Sequence, residues 1–416
     1  MEKRRINYMK KPFLILLFII ALLGLGWVSV FYYKNLRGAG PALLPPEDDI
    51  TQSVTTTKPV TSKPINNGAL KMPDGFAVSV FAKNLPGARV MVTDKDGNIW
   101  LSQISAGKVS KLTVKDGNLI KQETILSGLK HPHGLAFDPQ DPNVLYVAEE
   151  TRISKTTITA NGAGPLAKII DLPGGGVHYS RTIGFGPDGR LYVSIGSSCN
   201  VCREDDGRRA SIWSLKKDGT DFKEVAGGLR NSVFFVWNKN DGKMWATEMG
   251  RDLLGDDIPP DEINIIDTNA KDILNFGWPN CYGKNIHDTA FDKNTYIRNP
   301  CMEPFEKESH IDIQAHSAPL GLSFVSAKAA WPAEYKNDLL VALHGSWNRS
   351  VPTGYKVVRY HLDNSGKVLS ISDFLSGWIK GKAANGRPVD IIFAEDGMMY
   401  VSDDKAGVIY QVEYIK

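Results

Sequence analysis

TIGFGPDGRLYVS (182–194) reads as two short strands of alternating apolar character hinged at Pro187, Asp188 and Gly189. Asp-Gly between two period-two runs is a strong hairpin signal, because both residues tolerate the positive φ that a primed turn needs. The pattern recurs as VMVTDKDGNIWLS (90–102), GLAFDPQDPNVLYVA (134–148), VFFVWNKNDGKMWAT (233–247), GLSFVSAKAAWPAEYKNDLLVA (321–342) and VDIIFAEDGMMYVS (389–402). That makes six hairpins. Repetition at roughly 40–60-residue spacing marks propeller blades, each burying its faces only against its neighbours. We therefore expect an all-β, six-bladed β-propeller over residues 69–416; two stacked sandwiches fit the spacing less well. The long interval between the fourth and fifth turns predicts a rim insertion around 250–316. FAVSVF (76–81) is expected to pair with strands of GVIYQVEYI (407–415) and close the ring, removing an exposed edge.

With 416 residues, 42% hydrophobic and 23% charged, the chain can bury a full-sized core without a disulfide framework. The net charge of +3 and the lack of a basic stripe interleaved with aromatics exclude a nucleic-acid partner. Part of that charge is local: Lys3, Arg4, Arg5, Lys10 and Lys11 precede the uncharged run FLILLFIIALLGLGWVSVFY (13–32). At the helical rise this run spans a hydrocarbon core of about 30 Å. We read a cytoplasmic basic segment over 1–12, a single-pass transmembrane anchor over 13–33, and an extracytoplasmic domain, periplasmic or at the cell surface. A cleaved signal peptide is the alternative; the apolar run exceeds a typical h-region and no A-x-A site follows. Residues 34–68, rich in Pro and Thr, are expected to form a flexible tether.

Three stretches depart from the repeat in ways a bare scaffold does not need. In GGGVHYSR (174–181), His178 follows three glycines, where an imidazole can act as a base near neutral pH. In GGLRNSVFF (227–235), Arg230 and Asn231 offer a guanidinium fork and an amide. Arg387 stands in the same place before the sixth hairpin, and HGSWNRS (344–350) puts His344 and Arg349 after the fifth. Equivalent blade positions converge on one end of the central channel, so Arg230, Arg387 and His178 are expected to share a pocket suited to a polyanion. The third stretch, from Ala246 to Asn280, carries Asp252, Asp256, Asp257, Asp261 and Glu262. These are hard oxygen donors without EF-hand spacing, so the expectation for most of them is a solvated acidic loop.

The ordered series VHYSR, GLRN, ATEMG, PDEIN with NFGWPN, APLGLSF and NGRPVD resembles the quinoprotein glucose/sorbosone dehydrogenases, and HGSWNRSVPTGYKVVR is similar to the sorbosone-dehydrogenase-like branch. The resemblance runs from about Met72 to Tyr414. It implies a six-bladed propeller binding pyrroloquinoline quinone (PQQ), a planar tricarboxylate, with calcium on one face of the ring. It further implies that His178 is the catalytic base, that Arg230 assists catalysis and with Asn231 contacts the quinone, and that Arg387 binds a carboxylate. Gly250, with the following Arg251, corresponds to the backbone-carbonyl ligands of calcium. Departures are Val389 in place of a second arginine, Arg251 in place of Pro, and a cofactor lysine with no clear counterpart; His344 or Arg349 is expected to compensate. The implied reaction is oxidation of an aldose or sugar aldehyde, with electrons passing to an external quinone or cytochrome. A metal-dependent lactonase and a non-catalytic, partner-binding propeller are the alternatives.

Cys199 and Cys202 form CNVC, and Arg203 after them excludes the haem-attachment motif. An oxidising compartment favours the local pairs Cys199–Cys202 and Cys281–Cys301; zinc on four thiolates fits less well without a second C-x-x-C.

Overall fold

The computed structural model describes residues 2–46 and 70–415, with side chains from residue 13 onward. From Leu70 the described residues form six blade sheets, each stepping outward through four antiparallel strands, two of them with a fifth short strand, and two separate two-stranded ribbons. The six innermost strands, Ala88–Thr93, Leu135–Phe137, Ile183–Phe185, Phe235–Trp237, Pro319–Phe324 and Pro388–Phe393, are the first halves of the six hairpins. Phe76–Ala82 pairs antiparallel with Val408–Tyr414 as the outermost strand of the sixth blade, Phe76 facing Tyr414 and Val78 facing Val412. The ring closes as expected.

The turns differ from the expected geometry. Positive φ falls on the glycine alone, as at Gly97, Gly189, Gly242 and Gly397, and not on the Asp before it. Gly97 N–H donates to the Asp94 carbonyl, Gly189 N–H to Gly186 and Gly397 N–H to Ala394. These are type I turns closed by a left-handed glycine. The Asp94 carboxylate accepts from the N–H groups of Asp96 and Asn98, a local bond that stabilises the turn.

Apolar residues on successive strands fill the spaces between blades. Trp100, Trp245 and Trp378 are fully buried there, and each large side chain so placed contributes about 1.5–3 kcal/mol from lost apolar surface. The excursion out of the fourth blade covers 267–310, between the strands Asp261–Ile266 and Ile311–Ile313. It carries the ribbon Cys281–Tyr282 with Ile286–His287 and the disulfide Cys281–Cys301. The second disulfide joins Cys199 and Cys202, so both local pairs form and all four cysteines are consumed.

A helix runs from Glu2 to Asn35, and its Phe13–Asn35 portion is long and apolar enough to cross a membrane, its apolar stretch exposed and only its last residue, Asn35, buried. The tether expected from residue 34 begins differently: Asn35, Gly38, Ala39 and Pro41 are buried against the propeller. Gly38 N–H donates to the Arg349 carbonyl at 2.7 Å, and Lys405 Nζ donates to the carbonyls of Pro41 and Leu44 at 2.7 Å each. Residues 47–69 lie outside the described residues.

Candidate active site

Each inner strand is antiparallel to the one after it, so the segment entering the first and the segment leaving the second lie at the same end of the ring. His178, Arg230 and Arg387 precede inner strands; Ser197, Gly250 and His344 follow second strands. All but Ser197 line a cavity of about 230 Å³, together with Asn231, Asp252, Asp261, His316, Trp347 and Asn348. The Asp-Gly turns lie at the other end.

Gly176 and Gly196 allow close approach of backbone around His178. A Cβ on Gly176, whose φ is +83°, would stand 2.6 Å from Ser198 Cα, and one on Gly196 would stand 2.7 Å from His178 Cβ. Buried Arg181 braces this loop by donating to the carbonyls of His178, Ser180 and Pro173. Arg209 donates to those of Gly174 and Gly175. His178 Nδ1 lies 3.0 Å from the Ser197 carbonyl, which only accepts, so Nδ1 carries the proton and Nε2 keeps its lone pair. Burial, and then the positive charge of Arg230, hold the imidazole pKa down at about 3. His178 is therefore a neutral acceptor on the cavity wall.

Arg230 is only 4% exposed, and all five of its N–H donors are taken. Nε donates to the Asn200 carbonyl, Nη1 to the carbonyls of Met249 and Gly250, and Nη2 to Asn200 Oδ1 and Asp252 Oδ2. Asp252 in turn accepts from Asn348 Nδ2 at 2.9 Å. The Arg230 fork reaches a ligand only by exchanging one of these partners. Arg387 is different: Nε and Nη2 donate to the carbonyls of His344 and Gly345, while Nη1 has no protein acceptor among the described residues. His344 Nε2 donates to Asp404, which Arg89 also pairs at 3.0 Å. Burial, and then Arg387, keep His344 neutral with a pKa of about 4.

The other sequence expectations divide. Asn231 lines the cavity, its N–H donating to Glu248 Oε1. Arg349 does not line it: the guanidinium turns to the carbonyls of Val351, Asp256 and Ala315 and braces the loop beneath. The Arg251 side chain leaves for Asp288, at 2.7 Å. The Gly250 carbonyl faces Arg230 Nη1 at 2.9 Å, a neighbour that opposes a dication. The solvated acidic loop holds only for Asp257, whose side chain is 90% exposed. Asp261 and Glu262 are buried, and burial raises each to about 7. Asp261 accepts N–H bonds from Gly250 and Ala318, so it ties the loops around the cavity together.

Residues 70–415 match the family described as TrAA12-like. The chain belongs to that family. An uncharacterized protein of Borreliella burgdorferi is 34% identical over 83% of this chain and 91% of its own length. The PQQ-dependent pyranose dehydrogenase of Coprinopsis cinerea is 22% identical over 83% of this chain, which spans about half (54%) of that enzyme. Among solved structures, the holo PQQ domain of the Coprinopsis cinerea pyranose dehydrogenase superposes with a TM-score of 0.69 at 20% identity, covering 83% of this chain and 97% of that one. The calcium structure of the Trichoderma reesei AA12 enzyme superposes at 0.72 and 20% identity, covering 86% and 99%. The TrAA12-like chain thus groups with quinoprotein sugar dehydrogenases, as its motifs imply.

Proposed function

We propose that this chain is a PQQ-dependent dehydrogenase that oxidises an aldose or sugar aldehyde, carried on an uncleaved membrane anchor with its propeller outside the cytoplasm. The observation that carries the reading is His178, a neutral imidazole with a free Nε2 lone pair on the wall of a cavity that also holds Arg387. The donor set fits a planar polycarboxylate. Arg387 offers Nη1, Asn231 an amide, Arg230 a charge, and Trp347 a flat ring at the mouth. When bound, PQQ supplies a two-electron acceptor; orientation and proton handling fall to the protein.

His178 Nε2 takes the hydroxyl proton of a sugar bound at the mouth, and the Ser197 carbonyl stabilises the imidazolium through Nδ1–H. Arg387 would hold a carboxylate of the group through Nη1. Calcium is left out of this chemistry, because the Gly250 carbonyl already accepts from Arg230 Nη1, whose charge opposes a dication. Sorbosone-type specificity and the external electron acceptor, a quinone or cytochrome, are part of the same proposal.

The test is titration of the full chain in detergent with PQQ, with and without calcium, followed by dye-linked assay on a panel of aldoses and sugar aldehydes. His178→Ala should keep PQQ binding and lose turnover by about 10²-fold or more. Failure of the wild-type chain to bind PQQ saturably refutes the dehydrogenase and favours a partner-binding propeller.

A further inference from the structure

We propose that the cavity face of the propeller lies against the outer surface of the lipid bilayer that holds the anchor, its apolar rim dipping into the headgroup layer. The inference rests on the helix being an uncleaved anchor and adds a partner, the membrane surface, for the face that bears the site.

Length is the first argument. Phe13–Tyr32, at about 1.5 Å per residue, uses the whole of a hydrocarbon core of about 30 Å, and the helix continues without a break to Asn35. Tyr32 and Tyr33 then stand at the interface, and exposed Lys34 and Arg37 at the level of the phosphates. Only Leu36 and Arg37 separate Asn35 from Gly38, which is bonded to the propeller at Arg349. Three residue steps span at most about 11 Å of extended chain. A Cβ on Gly38 would meet the Arg349 and Ser350 carbonyls at 2.7 and 2.9 Å, so contact there is direct. No spacer holds this face away from the lipid.

The second argument is what surrounds that contact. Trp347 on the cavity wall is 42% exposed, Val351 58% and Ile258 45%. The loop bearing Ile258 is fastened beside the contact, since Ser350 N–H donates to Asp256 Oδ1 at 2.8 Å. Tyr179 and Leu253 extend this exposed apolar rim around the mouth. Apolar side chains beside the exposed Lys34 and Arg37 at an anchor's exit fit an anionic lipid surface, Asp257 being the exposed carboxylate next to Ile258. The opposite end of the ring carries polar turns such as Lys239–Asp241.

All four native cysteines are in disulfides, so single cysteines can be labelled in the full chain. Val351→Cys, Ile258→Cys and, at the far end, Lys239→Cys would each carry an environment-sensitive fluorophore in vesicles of phosphatidylcholine and phosphatidylglycerol. All three positions are exposed, so the core is untouched. Nitroxide-headgroup lipid should quench the labels at 351 and 258 by about twofold or more and leave the label at 239 unchanged. Membrane retention and intact N-terminal mass are read on the same vesicles. If the intact chain is retained and all three labels respond alike, the proposal is overturned while the anchor stands. Loss of the N-terminal helix overturns both. Shielding at 351 and 258 that ignores the nitroxide and vanishes as protein is diluted in lipid assigns the face to a second copy and overturns the membrane contact. PQQ titration of these vesicles reports separately on the dehydrogenase reading.

Discussion

Asp252→Asn tests whether the cavity's charge balance is as described. Asp252 Oδ2 lies 2.7 Å from Arg230 Nη2, and the two side chains are 21% and 4% exposed. Breaking a buried ion pair costs about 3–5 kcal/mol. Because Asp252 is a fifth exposed and Asn keeps its shape, the lower end applies, about 3 kcal/mol. A domain of this size has an unfolding entropy of about 0.7 kcal/mol/K, so Tm should fall by about 4 °C. Calorimetry of the full chain in detergent measures this, with Arg230→Met and the double variant completing a cycle whose coupling should be about 2 kcal/mol. The substitution also frees a donor of Arg230 for an incoming carboxylate, so PQQ should bind about tenfold tighter, worth about 1.4 kcal/mol. A Tm within about 1 °C of wild type, or strict additivity of the two substitutions, would refute the reasoning.

Three further outcomes follow from the same geometry. His344 has a folded pKa of about 4 against an unfolded value of about 6.5; its stabilisation is complete above pH 6.5 and lost as pH falls towards 4. The stability advantage of wild type over His344→Gln, read from urea midpoints, should shrink over that window, and a constant difference contradicts it. Replacing Cys199 and Cys202 by Ser should cost about 2 kcal/mol. It should also lower kcat/KM by about tenfold through the loop that orients His178 and Arg230, and equal activity in the reduced protein refutes that role. Arg349→Ala should lower Tm by several degrees through three carbonyls left without a donor, yet change PQQ affinity by less than about twofold; a large affinity loss would put Arg349 at the cofactor.

The ring was legible because each hairpin repeats a local pattern of alternating strands around a glycine turn, and local patterns survive in linear text. His178, Arg230, Asn231, His344 and Arg387 were legible for a related reason: each stands within a few residues of such a hairpin. What escaped were long-range partners. Nothing in PDEIN tells that Asp261 meets the N–H groups of Gly250 and Ala318, which turns an apparent acidic loop into a buried brace. HGSWNRS contains Trp347 and Asn348 beside His344 and Arg349, and a titratable side chain is the stronger signal in linear text. Trp347 and Asn348 line the cavity together with His344, while Arg349 turns aside to satisfy carbonyls. His316, in a left-handed backbone conformation, left no signal at all.

The closing strand sets a timetable for biogenesis. Phe76–Ala82 leaves the ribosome early, yet its only sheet partner among the described residues is Val408–Tyr414, about 330 residues later. At about 5–20 residues per second the partner emerges roughly 20–70 s afterwards. Until then the first strand waits with an unpaired edge. A nascent chain in that condition is open to aggregation and proteolysis. Whatever escorts it must shield Phe76–Ala82 first and release it last.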